Sequence, residues 1–158
     1  MLSEIFGRLR FDLDQDDELI PAQFVDMIIG TGVGGLVAIL LGRLCMTPTQ
    51  AIESYSKLSP AIVTMVASTV DQVQRETNTS RFKEAFDQLL RDAGHDPESL
   101  FQTRNGKSNG CKTVICVMNQ ANMSYCQLIR SYRSRSAPGP EYTITQVALA
   151  SIASPDAY

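Results

Sequence analysis

The apolar positions of this chain change period several times, and each change predicts an element. Leu2, Ile5, Phe6 and Leu9 recur at i, i+3, i+4 and i+7, the stripe of a short amphipathic helix. A stripe already running at Met1 reads as the tail of something longer. Polar residues take over in DLDQDDE at 12–18, a solvated acidic linker that Pro21 closes. Phe24, Val25, Met27, Ile28 and Ile29 then make a near-continuous apolar run, interrupted by Asp26, of the kind that forms a strand buried on both faces of a parallel sheet. A glycine cluster follows at 30–35. After it, Leu36, Val37, Ile39, Leu40, Leu41 and Leu44 are apolar nearly all round a helix, which suits an element packed centrally against the sheet. Residues 24–45 therefore read as strand, sharp turn, helix.

Downstream, Thr47-Pro48-Thr49-Gln50 is a capping box with proline at the first helical position, opening a helix that carries Ile52, Tyr55 and Leu58. Pro60 begins a separate segment, AIVTMVASTVDQV, in which length favours a helix against the β-branched content. The polar ETNTS at 76–80 reads as a loop or a shortened insertion, and Ser80 as the cap of a helix with Phe82, Phe86, Leu89, Leu90 and Ala93 on one face and Gly94 as its stop. TRNGKSNG at 103–110 is a surface turn. Residues 112–118 and 126–132 predict two further strands, joined by a connection short enough for antiparallel or adjacent pairing. SRSAPGPE at 134–141 is a loop, and Thr143 with Gln146 offers another capping box, opening a small-residue helix, VALASIAS, that Pro155 ends. Strands interspersed with helices over 158 residues predict one α/β domain.

Composition narrows the chemistry chiefly by exclusion. With 44% hydrophobic and 20% charged residues and a net charge of −3, the chain has no broad electrostatic attraction to nucleic acid. Cys45, Cys111, Cys116 and Cys126 lack paired CxxC spacing, and the lone histidine, His95, lies in a polar context, so no metal site is expected and the thiols read as reduced. Asp12, Asp14 and Asp16 imitate the first ligands of a calcium loop, but Asp17 stands where its glycine belongs and Gln23 where its glutamate belongs. Residues 1–10 do not show the order of a signal peptide. The longest uncharged run, 27–42, contains five glycines and falls short of the roughly 18 to 20 residues that span a bilayer.

The glycine cluster admits two readings. Gly30, Gly32 and Gly35 satisfy G-x-G-x-x-G, which would make the turn a nucleotide-binding loop. That fingerprint also needs an acidic residue at the end of a second strand; Glu53 is at the right distance but falls inside the helix opened by Thr47. The other reading is a nucleophile elbow, G-x-S-x-G. Gly30, Thr31, Val33 and Gly34 fit its frame, and Gly32 occupies the nucleophile position.

The stretch FVDMIIGTGVGGLVAILLGRLCMT resembles the patatin-like phospholipases, the fungal branch in particular, whose elbow reads D-x-I-x-G-T-S-x-G-G. Asp26, Ile28, Gly30, Thr31, Gly34 and Gly35 match that pattern. QLIRSYRS at 127–134 resembles the strand and basic turn of the same branch, and VALASIASPDAY at 147–158 its A-R-A-T-S-A-A-P-T-Y segment. The resemblance implies a three-layer α/β/α fold with a central, mostly parallel sheet. It also implies a Ser-Asp dyad without cofactor that cleaves membrane lipids or other fatty acyl esters in lipid metabolism, in a cytoplasmic protein able to work at the membrane periphery. It further implies that 1–158 is a fragment of the domain. The family's oxyanion loop would precede Met1 and its dyad aspartate would follow Tyr158, with additional domains in a longer protein. Without the family's first strand the 24–29 strand would keep an unpaired edge, and the chain is expected to be of low stability.

Three departures bear on activity. Gly32 has no side chain to attack a carbonyl, Leu149 stands where the family has an arginine, and Ile152 replaces that motif's serine. Thr31 carries a hydroxyl, but its place in an elbow points away from the helix N-terminus. No patatin-type hydrolysis is expected of this chain. Arg130, Arg133 and Arg135, with Tyr132, are candidate lipid-headgroup contacts, against the plainer reading of a solvated basic turn.

Overall fold

The computed structural model describes residues 1–66, 72–103, 111–119, 122–134 and 140–153. The expected surface turn at 103–110 falls almost wholly outside them, as do Arg135 and Pro155. Helix α1 (Leu2–Asp12) forms where its stripe predicts, yet only Phe6 is buried, and Leu2 and Ile5 face solvent. Phe6 meets Phe24 edge-on at 6.0 Å and so holds α1 to the approach of the sheet. The acidic stretch is more than a solvated linker. The Glu18 carboxylate accepts from the Thr49 N–H at 3.1 Å and the Thr49 hydroxyl at 2.8 Å, closing the N-terminus of a later helix. Desolvation alone would raise its pKa; hydrogen bonds from Thr47 and Thr49 and the Arg10 charge outweigh it and hold the carboxyl below its ordinary value.

Strand β1 (Met27–Thr31) is shorter than the apolar run and is not buried on both faces. Pro21 fixes a tight 3-10 turn over Pro21–Gln23, and Phe24 keeps helical backbone angles (φ −111°, ψ −12°), so the chain extends only after Asp26. Met27, Ile29 and Thr31 are exposed while Ile28 and Gly30 turn inward. The reason is the sheet: its order is β1-β2-β3, β1 has only β2 as a neighbour among the described residues, and helices cover one face.

Helix α2 (Gly32–Ala38) follows β1 directly and widens into a π-type turn over Ile39–Arg43, in which the Leu44 N–H reaches the Ile39 carbonyl at 3.0 Å. Leu36, Ile39 and Leu40 are fully buried, as an element apolar on all sides requires. The Arg43 guanidinium donates to the carbonyls of Phe101 and Leu100, each at 2.9 Å, and burial lowers its pKa from the ordinary value.

Two sequence expectations fail in α3 (Pro48–Val66) and α4 (Gln72–Asp92). The Thr47 capping box forms, with both reciprocal hydrogen bonds at 3.0 and 3.3 Å, but the helix it opens runs through Pro60. Pro60 is exposed, so water can satisfy the Ser56 carbonyl that a proline leaves unpaired. Residues 76–80 are helical and Ser80 is no cap: its hydroxyl donates back to the Glu76 carbonyl at 2.9 Å, while Asn78 donates to the Thr64 carbonyl of α3 at 3.0 Å. Packing overrides local propensity here, with Phe82 and Phe86 stacked 5.7 Å apart in the core. Gly94, at φ +76°, ends α4 as expected.

Strand β2 (Lys112–Asn119) pairs in parallel with β1, from Met27↔Lys112 to Thr31↔Cys116. Strand β3 (Asn122–Arg130) pairs antiparallel with β2, from Val114↔Arg130 to Met118↔Cys126, with a bulge at Met118/Asn119. The sheet is therefore mixed among the described residues, one parallel and one antiparallel pairing, and not mostly parallel. Helix α5 (Ile144–Ile152) starts at the Thr143–Gln146 capping box with both hydrogen bonds present and packs on α2 and β2. The sheet's inner face, with Ile28, Ile115, Val117 and Ile129, closes the core; Met27, Ile29, Met118 and Leu128 on the outer face are exposed. No helix among the described residues is long and apolar enough to cross a membrane.

Candidate functional site

The strand-to-helix turn is built by three glycines in three different environments. Thr31 is extended (φ −138°, ψ 154°) and Gly32, the first residue of α2, switches to the left-handed region at φ +55°. An L residue there is strained by about 1–2 kcal/mol. Space is not the obstacle, since a Cβ on Gly32 would meet nothing within 4 Å outside its own turn among the described residues. Gly30 and Gly35 are the opposite. A Cβ on Gly30 would collide with the Gly34 carbonyl, and one on Gly35 with the Ser151 hydroxyl, while standing 3.2 Å from Ile115 Cγ2. Backbone and α5 thus occupy the places where those side chains would be.

Ser151 is a site residue that sequence reasoning missed. Its hydroxyl donates to the Gly32 carbonyl at 2.6 Å and its residue is 7% exposed, so α5 clamps the turn from below. The signal lay in the small residues of VALASIAS, which let a helix approach a glycine closely, but the partner is 119 positions away in sequence.

The other predicted residues do not converge on this turn. Val33 and Gly34 are exposed at the start of α2. Thr31 is exposed in register with Ile29 and Met27 on the outer face, so its hydroxyl is directed away from the inner face that α2 and α5 cover. β3 runs antiparallel, which carries Arg130 opposite Val114, and Arg133 beyond it, toward the N-terminal end of β1, the end remote from Gly32. Tyr132 marks that end, with the Lys112 ammonium 5.5 Å from its ring centre and Lys112 paired to Met27. Arg130 lines a crevice of only about 40 Å³. The third arginine of the predicted set, Arg135, lies outside the described residues.

The residues of a nucleotide fingerprint are also dispersed. Glu53 lies in α3, lining an open cleft of about 420 Å³ with Lys57 and Asp92 over a floor of Leu44, Met46, Leu58 and Leu89. After α2 the described chain is next paired into the sheet at Lys112, not within the thirty or so residues of a dinucleotide-binding βαβ unit. His95 follows Gly94 just past the end of α4; burial and then the Arg43 charge lower its pKa from the ordinary value. Among the described residues, no three His, Cys, Asp or Glu side chains cluster as metal ligands would.

Chemically, the turn offers an open position at the start of a helix with no side chain in it. The buried hydroxyl beneath it is engaged as a donor to the backbone. An arrangement of that kind can present an attacking atom but does not carry one. No protein-family model, no curated protein and no solved structure matches the chain, so its assignment rests on its own residues and geometry.

Proposed function

We propose that this chain is a patatin-like lipid acyl hydrolase domain whose hydrolytic chemistry is lost at Gly32, although helices cover only one face of its sheet among the described residues and not both, as a three-layer α/β/α fold requires. The observation that carries the reading is the turn itself. A left-handed position between a strand and a helix, which would strain an L residue, with open space among the described residues where a side chain would stand, is the backbone an elbow nucleophile requires, and it is found at the position where the family pattern has its serine. The glycines on either side support it, because each is needed by close packing and not by a ligand. What remains is a lipid- or protein-binding module without a nucleophile. Arg130 and Arg133, at the sheet's other end, serve membrane attachment, not substrate capture.

The test uses the purified chain with a fluorophosphonate probe, an activated fatty acyl ester and, as the competing class, NAD or ATP. No burst, no covalent adduct and no saturable nucleotide binding are expected. Stoichiometric acylation would overturn the loss of chemistry, and saturable nucleotide binding would overturn the elbow reading in favour of a phosphate loop.

A further inference from the structure

The outer face of the sheet, which no helix covers among the described residues, carries two cysteines that the hydrolase reading does not use. Cys116 on β2 pairs with Leu128, and Cys126 on β3 pairs with Met118, so the two cysteines are diagonal neighbours on adjacent antiparallel strands. Both share the outward parity of Ile29, Met118 and Leu128. Cys126 is exposed and Cys116 half-buried, and the Cys126 thiol is near enough to bear on the titration of Cys116. A diagonal pair stands about 7 to 8 Å apart at Cα in a regular ladder, just beyond the separation a disulfide usually spans, so closing a bridge here takes a small backbone movement. Here the register shift at Met118/Asn119 begins at Met118, the ladder partner of Cys126.

We propose that Cys116 and Cys126 form a reversible dithiol/disulfide couple, a modification site on the outer face of the sheet for low-molecular-weight disulfides such as oxidised glutathione. The inference is independent of the elbow. In the first step the exposed Cys126 gives its proton to solvent and its thiolate attacks one sulfur of oxidised glutathione. A Cys126–glutathione bond forms, the glutathione S–S bond breaks, and the released thiolate takes up a proton. In the second step Cys116 loses its proton and attacks Cys126 Sγ. The Cys116–Cys126 bond forms and the second glutathione thiolate leaves and is protonated. Two protein thiols are oxidised and one disulfide is reduced to two thiols. Desolvation first, then the hydrogen bond and charge of Cys126, raise the pKa of the Cys116 thiol, which suits the resolving role over the attacking one.

The geometry also sets the character of the couple. A bridge that closes only with some backbone movement, on an exposed face, is easily reduced, unlike a structural disulfide. Cys45 and Cys111 have no part in it; Cys111 is buried and enters β2 at the opposite end from Met118.

The full chain is incubated with oxidised glutathione, then with excess reduced glutathione, and followed by intact mass and peptide mapping. The expected product has lost two hydrogens, maps to a Cys116–Cys126 peptide, and reverts on reduction. Cys116→Ser is expected to stop at a lasting glutathione adduct on Cys126, and Cys45→Ser to behave as the natural chain does. Phenylarsine oxide, which bridges thiols in contact, is expected to be retained at one per chain and lost in Cys116→Ser and in Cys126→Ser. A persistent Cys126 adduct in the natural chain, a disulfide between other cysteines or between two chains, or arsenical retention unaffected by either substitution would each overturn the proposal.

Discussion

Gly30 and Gly35 differ from Gly32 in a way that separates architecture from chemistry. The first two are glycine because something else already fills the space: the Gly34 carbonyl in one case, Ser151 and Ile115 in the other. Gly32 is glycine with nothing in its way; only its φ of +55° makes a side chain costly. Packing dictates the frame of the turn, whereas the residue at its apex is tolerated by the fold and not demanded by it. A position that pays strain to hold a side chain in open space is what function selects and what loss of function releases.

The largest effects should come from filling the closed positions. Gly30→Ala places a methyl against backbone that cannot rotate aside, and the expected loss is about 3 kcal/mol or more, read by denaturant unfolding. Gly35→Ala should cost about 2–3 kcal/mol, and because its obstacle is a side chain, Ser151→Gly in the same chain should recover part of that loss. Strict additivity of the two substitutions would break the claim that Ser151 is what Gly35 accommodates. Gly32→Ser should cost only about 1–2 kcal/mol, the left-handed strain alone, with the cooperative transition kept. Ser151→Ala, which removes the hydroxyl from the Gly32 carbonyl without adding bulk, should cost about 1 kcal/mol.

The smallest effect is a pH dependence remote from the turn. The His95 pKa is lowered in the folded chain, so between that lowered value and the ordinary 6.5 the unfolded chain binds more protons. Stability from this group is complete above pH 6.5 and declines as pH falls through the window. His95→Gln should remove that slope equally in the natural chain and in Gly32→Ser. A slope that changed with the residue at 32 would mean that the two regions are coupled.

Much of this arrangement is legible in the sequence. The change from a β-branched run to glycines to a helix apolar on all sides located β1, the turn and α2, and both capping boxes, at Thr47 and Thr143, formed as their spacing required. What escaped was decided by tertiary context. Nothing local tells that Pro21 would hold Phe24 in a turn and shorten the strand, or that the polar 76–80 stretch would stay helical because Asn78 reaches α3. The exposure of Ile29 and Leu128 depends on which sheet face the helices take, and the clamp of Ser151 on Gly32 joins segments at opposite ends of the chain. Nor does anything local tell that an antiparallel third strand carries Arg130 and Arg133 toward the end of the sheet remote from Gly32.

The central claim, that the elbow keeps an open nucleophile position with no nucleophile in it, is tested most directly by Gly32→Cys. A brief iodoacetamide pulse on the folded chain, followed by peptide mapping, compares the new thiol with the exposed Cys126. The account predicts that Cys126 and the cysteine introduced at 32 are alkylated at similar rates while the chain remains folded. A new thiol that stays protected in the folded chain, or a chain that unfolds as Gly30→Ala is expected to, would contradict it.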